Sequence, residues 1–171
     1  MTPTARRIDL VYLMGPPGSG KSTLGNELNR LGIADFTDLE PMLVRKYGSG
    51  EKFAKQRPMV HRWIRNFYRE QLTTVSLPVV VETTGIGDRP FLEELCTKYR
   101  VLFVKLDTPR DQCVARVGSR ASGQHVNEHS SEATGRFFDY WHSEIEQSYQ
   151  FALTVTGRSL ADDAKAIQQA L

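Results

Sequence analysis

Residues 15 to 23 read Gly15-Pro16-Pro17-Gly18-Ser19-Gly20-Lys21-Ser22-Thr23. Glycines at this spacing let backbone N–H groups turn inward on phosphate oxygens. The lysine then reaches the β and γ phosphates, and the Ser22 hydroxyl is suited to ligate Mg²⁺. A helix opening at Lys21 would add the positive end of its dipole. From average glycine usage and assumed lysine and hydroxyl frequencies, a chance match in a chain of this length is on the order of half a per cent. The competing reading is a glycine-rich turn without a ligand, and the strand and helix that must flank a true phosphate loop decide between the two.

A second concentration of chemistry is basic. Between Arg45 and Glu70, the eight residues Arg45, Lys46, Lys52, Lys55, Arg57, Arg62, Arg65 and Arg69 face only Glu51 and Glu70, a net +6 in a chain of total charge +2. Arg62, Arg65 and Arg69 follow i, i+3, i+7 spacing, one stripe of a helix away from Val60, Ile64 and Phe67. Such a stripe is either a solvated helix face or a clamp for a carboxylate or phosphate. His125 and His129 flank Glu128 but do not form HExxH, and zinc is not expected. His61 and His142 read as packing or surface residues, and Trp63 and Trp141 as core. Cys96 and Cys113 lack CxxC spacing and read as packing residues of a reduced protein.

The elements that must hold these residues follow from apolar periodicity. Residues 8–14 form a short apolar run stopped by Gly and Pro, a buried strand. Leu24, Leu28 and Leu31 mark a helix over 21–31 ended by Gly32. A strand at 34–37, helices at 39–47 and 58–75, and a strand at 79–81 come next. A helix at 89–98, a strand at 101–106 and a helix at 111–117 follow. The chain closes with a helix at 137–149, a strand at 151–155 and a helix at 160–171. Alternation of strands and helices predicts a parallel sheet buried on both faces. Between 118 and 134 apolar periodicity gives way to Gly, Ser, His and Asn, the composition of a lid-type insertion.

The chain has 171 residues, of which 40% are hydrophobic and 25% charged. That is the size and composition of one soluble α/β domain rather than two, or of a disordered chain. Arg6 and Arg7 precede an apolar run broken by Asp9, too short for a signal segment or a membrane span. A cytoplasmic protein, monomeric or homodimeric, is expected.

With these segments in view, the sequence resembles the small-molecule branch of the P-loop kinases, the shikimate kinases and gluconate kinases, over almost its whole length. The resemblance implies a three-layer α/β fold with a five-stranded parallel sheet in the order 2-3-1-4-5. It also implies an acceptor region at about 38–75 and a lid. Phe36-Thr37-Asp38-Leu39-Glu40-Pro41 is similar to the segment in which these kinases carry an acid facing the acceptor hydroxyl. Asp38 is then the catalytic base, although an Asp here also serves as a helix N-cap. Phe36 stands where the family has a paired acid. Glu82 stands where related kinases orient Mg²⁺, giving Ser22 and Glu82 as metal-side residues. Thr84-Gly85-Ile86-Gly87 is similar to the substrate-holding turn of shikimate kinases, or is a plain turn.

Residues 116–125, from Arg116 to His125, resemble a gluconate kinase lid. There Arg120 would stabilise the transferring phosphoryl group and Arg116 would contact adenine or phosphate; a solvated helix end is the alternative. Thr156-Gly157-Arg158-Ser159-Leu160 resembles the loop that flanks adenine in this superfamily. Arg57 approximates the substrate arginine, with Arg62 beside it. Arg89, following Val80-Val81-Glu82-Thr83-Thr84, also resembles polynucleotide kinases, and it completes the acceptor-side residues. The expected function is transfer of the γ-phosphoryl group of ATP, with Mg²⁺, to a hydroxyl of a small anionic metabolite. A polynucleotide or nucleotide kinase, or a nucleotide-binding module without kinase activity, is the alternative.

Overall fold

β1 spans Leu10–Met14, and all five residues are buried, as a central parallel strand covered on both faces requires. The computed structural model describes residues 7–87, 89–121, 125 and 130–171. β1 pairs in parallel with β2 (Val79–Thr83) on one side and with β3 (Val101–Leu106) on the other, and β3 pairs with β4 (Leu153–Val155). The order across the sheet is β2-β1-β3-β4.

Alternate residues of β1 feed two cores. Leu10, Tyr12 and Met14 face α2 (Glu40–Tyr47), α3 (Gly50–Lys55), α4 (Arg57–Thr74) and α5 (Arg89–Lys98) through Leu43, Phe53, Val60, Tyr68, Phe91, Leu92 and Leu95. Val11 and Leu13 face α1 (Lys21–Arg30) and α8 (Leu160–Ala170) through Leu24, Leu28, Ala164 and Ile167. Helices on both faces make the three-layer arrangement. α6 (Arg110–Gly118) and α7 (Ser131–Tyr140) pack on each other near the lid region.

The expected sheet of five strands is a sheet of four. The segment at 34–37 makes a single bridge, Asp35 to Val79. Asp35 donates to the Pro78 carbonyl and accepts from Val80, both at 2.8 Å. The next amide, Phe36, turns instead to the Asn29 side chain at 3.5 Å, and the Phe36 ring is buried over α1. That bridge lies on the outer side of β2, so the four strands keep the relative order that the resemblance implies.

Three further differences are local. α3 was not legible because its six residues are too short to show helical periodicity. The helix expected over 137–149 is α7, followed by a π-helical turn at Trp141–Ile145 and a 3₁₀ turn at Glu146–Ser148. Cys96 is exposed rather than packed, while Cys113 is buried. No helix among the described residues is long and apolar enough to cross a membrane.

The α1 to Phe36 contact gives a sharp stability test. A Cβ at Gly25 would stand 2.7 to 2.8 Å from three ring atoms of Phe36. Alanine gains about 1 kcal/mol of helix propensity, but overpacking a filled core costs about 1–3 kcal/mol. Gly25→Ala is expected to lose about 1 kcal/mol net in urea unfolding; an unchanged midpoint would mean that the ring moves freely.

Candidate active site

The phosphate loop lies where β1 ends and α1 begins, at the carboxyl edge of the sheet, the usual ligand edge of parallel α/β folds. Gly18 and Gly20 hold φ of 81° and 96°, a region that L side chains rarely adopt. A Cβ on Gly18 would also stand 2.4 Å from the Cys113 carbonyl oxygen of α6. Its missing side chain therefore answers both a backbone and a packing demand. Thr108, just past β3, donates its hydroxyl to the Ser19 carbonyl at 2.8 Å. Arg116 of α6 donates to the Gly18 carbonyl at 3.2 Å.

Lys21 Nζ donates to the Gly15 and Pro16 carbonyls at 2.9 and 3.0 Å. Desolvation lowers its pKa to about 8, against the opposing pull of Glu82. Ser22 donates its hydroxyl to Glu82 Oε2 at 2.8 Å. Burial raises the Glu82 pKa, Lys21 and the Ser22 hydrogen bond oppose the rise, and the charges of Asp38 and Glu40 add to it. Glu82 thus accepts from the phosphate loop and carries the electrostatic influence of Asp38 and of Glu40 at the start of α2.

Asp38 Oδ1 accepts the Glu40 amide at 3.0 Å, a local turn contact. The N-cap position of α2 is Leu39 and carries no side-chain cap, so the helix N-cap reading of Asp38 does not hold. Its charge also reaches Glu82. Arg120, exposed just past α6, lies near enough to depress the Lys21 pKa further. His125 Nδ1 stands 3.1 Å from Glu40 Oε2 without hydrogen-bond alignment. The rest of the expected lid at 122–124 and 126–129, His129 included, lies outside the described residues. Arg158 is exposed in the turn before α8. That turn touches the phosphate loop, because a Cβ on Gly157 would meet Thr108 Oγ1 at 2.5 Å and the Ser19 carbonyl at 3.5 Å.

A cavity of about 420 Å³ is lined by Pro58, His61, Arg62, Arg65, Arg69 and Gly87. The stripe expected from sequence therefore borders a cleft with the turn after β2. Arg57 and Arg89 do not line it; Arg89 stands 3.6 Å from Glu93 on its own helix. Thr84 and Gly85 are held from behind. The Trp141 indole donates to the Thr84 carbonyl at 2.8 Å, and the Tyr149 hydroxyl donates to the Gly85 carbonyl at 2.7 Å.

Sequence reasoning missed Glu40, Thr108, Trp141 and Tyr149. Thr108 carried a usable signal, since it follows a strand at the sheet's carboxyl edge. The two aromatics carried none, because their partners are backbone carbonyls more than fifty residues away in sequence.

A phosphate loop between the central strand and the first helix of a three-layer parallel α/β domain defines a P-loop fold. No family model matches the chain, and no curated protein matches it in sequence. Solved structures do. A shikimate kinase from Acinetobacter baumannii, in complex with shikimate, is 21% identical with a TM-score of 0.61 and covers 95% of this chain and 92% of its own. A gluconokinase from Sinorhizobium meliloti 1021 is 19% identical with a TM-score of 0.59, covering 96% and 92%. A deoxyadenosine kinase from M. mycoides with bound dATP is 12% identical with a TM-score of 0.59, covering 96% and 98%. The chain has the fold of the P-loop small-molecule kinases.

Proposed function

We propose that this protein is an ATP-dependent kinase that phosphorylates a hydroxyl of a small anionic metabolite. The observation that carries the reading is the position of Glu82. It accepts from Ser22, and its charge is coupled to those of Lys21, Asp38 and Glu40, which supports a reading in which donor-side and acceptor-side groups share one site. The arginine-lined cleft beside Gly87 supplies room and charge for the acceptor.

In this reading the backbone N–H groups of Gly18 to Ser22, with Thr23 beside them and Gly15, Pro16 and Pro17 shaping the turn, hold the β and γ phosphates. The acceptor oxygen bonds to the γ phosphorus as the bridging P–O bond to ADP breaks, and the electron pair leaves with ADP. The hydroxyl proton passes to the Asp38 carboxylate. Lys21 and Arg120 offset the charge that develops on the equatorial oxygens. Arg116 and Arg158 border the nucleotide. Thr84, Gly85, Gly87 and Arg62 border the acceptor, with Arg57 and Arg89 further out.

The Ser22 hydroxyl beside the Glu82 carboxylate is a hard-oxygen pair suited to Mg²⁺, an ion that keeps several waters and takes its other ligands from phosphates. When bound, Mg²⁺ would supply charge neutralisation at the phosphates.

The test is ADP release driven by a panel of sugar acids, cyclic hydroxy acids, phosphorylated small alcohols and nucleosides, repeated with Asp38→Asn. Asparagine keeps an oxygen for the Glu40 amide but cannot take a proton. The reading expects stimulation by a subset of the panel, and in Asp38→Asn a loss of about 10²-fold in kcat with nucleotide affinity unchanged. No stimulation by any compound would favour a nucleotide-binding module, and full stimulated turnover in Asp38→Asn would remove Asp38 as the base.

A further inference from the structure

Four cationic or potentially cationic side chains line the cleft beside Gly87, and they are not equivalent. Arg69 is engaged by Glu94 through two hydrogen bonds, at 3.1 and 2.6 Å. Glu94 also accepts from Lys98, and these two partners hold its carboxyl down to about 2. Arg62, Arg65 and His61 meet no carboxylate among the described residues. Arg65 instead lies over the Phe91 ring, 5.8 Å from its centroid. Arg62 and Arg65 are like charges at i and i+3, an arrangement that weakens a helix unless an anion joins them.

A carboxylate brings one charge and two coplanar oxygens, which a single guanidinium fork satisfies. Two guanidinium groups that meet no carboxylate among the described residues, with an imidazole beside them, match a tetrahedral group that carries about −1.5 to −2 and three acceptor oxygens. Gly87 closes the lining two residues before α5, which has no acidic residue in its first turn. A cavity of about 420 Å³ has the size of a small-ligand site.

We propose that this cleft binds a phosphate monoester already present on the acceptor, through Arg62, Arg65 and His61. The substrate class is then a phosphorylated small alcohol with a free hydroxyl elsewhere on the molecule. The substrate assignment rests on the kinase reading above, but binding in the cleft does not.

The experiment loads the full chain with Mg²⁺ and a non-hydrolysable ATP analogue, so that the phosphate loop is filled. Phenyl phosphate, with benzoate as the carboxylate counterpart, is then titrated by calorimetry. The expected result is binding of phenyl phosphate at least tenfold tighter than benzoate. Arg62→Gln with Arg65→Gln together should weaken it more than tenfold, and Arg69→Gln less than threefold; circular dichroism checks that each variant folds. Equal or tighter benzoate binding, or binding indifferent to the double variant, overturns the proposal. So does a preference for an oligonucleotide, with steep salt dependence, over the monoester.

Turnover separates the two readings. Cleft binding that follows this pattern, with no ADP release driven by any acceptor, phosphorylated or not, refutes the kinase reading and leaves the site standing. ADP release driven only by unphosphorylated acids refutes the phosphate class and leaves the kinase standing.

Discussion

Lys21→Met is expected to lower turnover by about 10³-fold, since it removes charge stabilisation that is worth about 10²–10³ by itself together with contacts to the bound nucleotide. Its pH signature is as informative as its size. Burial brings the Lys21 pKa to about 8 from 10.5, so the empty protein releases this proton in mildly alkaline solution. A bound polyphosphate raises the pKa again. Nucleotide binding above pH 8 must then take up a proton, and affinity should fall by up to about tenfold per pH unit.

The stability sign is the reverse of the usual one for lysine. Below pH 8 both folded and unfolded chains carry the charge, and the cost of desolvating it is fully present. Between about 8 and 10.5 the unfolded chain binds the proton that the folded chain has lost, so this group makes stability rise with pH. Isothermal titration in buffers of different ionisation enthalpy reads the proton uptake. Urea melts at pH 7.5 and 10 read the linkage as a change in the difference between wild type and Lys21→Met. Nucleotide binding with no proton uptake at pH 8.5, or an unchanged difference, would contradict this account.

Trp141→Ala is expected to be the most destabilising single truncation at the site. The side chain is fully buried and donates to the Thr84 carbonyl, so its loss opens a cavity and strips a backbone acceptor of its donor. Large aromatic truncations cost about 3–5 kcal/mol, a large share of the roughly 5–15 kcal/mol that holds a typical domain together. For a domain of this size that is roughly a 10 °C fall in melting temperature.

Trp141→Phe refills most of the space and isolates the lost hydrogen bond, with an expected cost of about 1–3 kcal/mol. In the kinase reading, that variant also raises KM for the acceptor while nucleotide affinity holds, because it frees the turn at Thr84 and not the phosphate loop. Equal urea midpoints for Trp141→Ala and wild type would remove the indole from the fold's essential contacts.

The limits of sequence reading are visible in particular residues. The segment at 34–37 has the composition of a strand, yet only Asp35 pairs, because the Phe36 ring has a better partner in α1 than its amide has in the sheet. Arg69 shares the stripe of Arg62 and Arg65 but is held by Glu94, twenty-five residues away. Periodicity along one helix carries no information about a carboxylate on another. Asp38 reads from sequence both as an N-cap and as an acid near the phosphates; the N-cap of α2 is Leu39, Asp38 makes a turn contact with the Glu40 amide, and its charge adds to the rise of the Glu82 pKa.

By itself, the sequence determined the phosphate loop, the strand before it, the helix after it and the basic character of 45–70. Each of these is a matter of residue type at short spacing, which backbone geometry and apolar periodicity translate directly. Tertiary structure decided that Ser22 meets Glu82, that two indole and phenol groups brace Thr84 and Gly85, and which arginines are already neutralised. Those outcomes depend on contacts between elements distant in the chain, where packing and charge pairing select partners that no local pattern encodes.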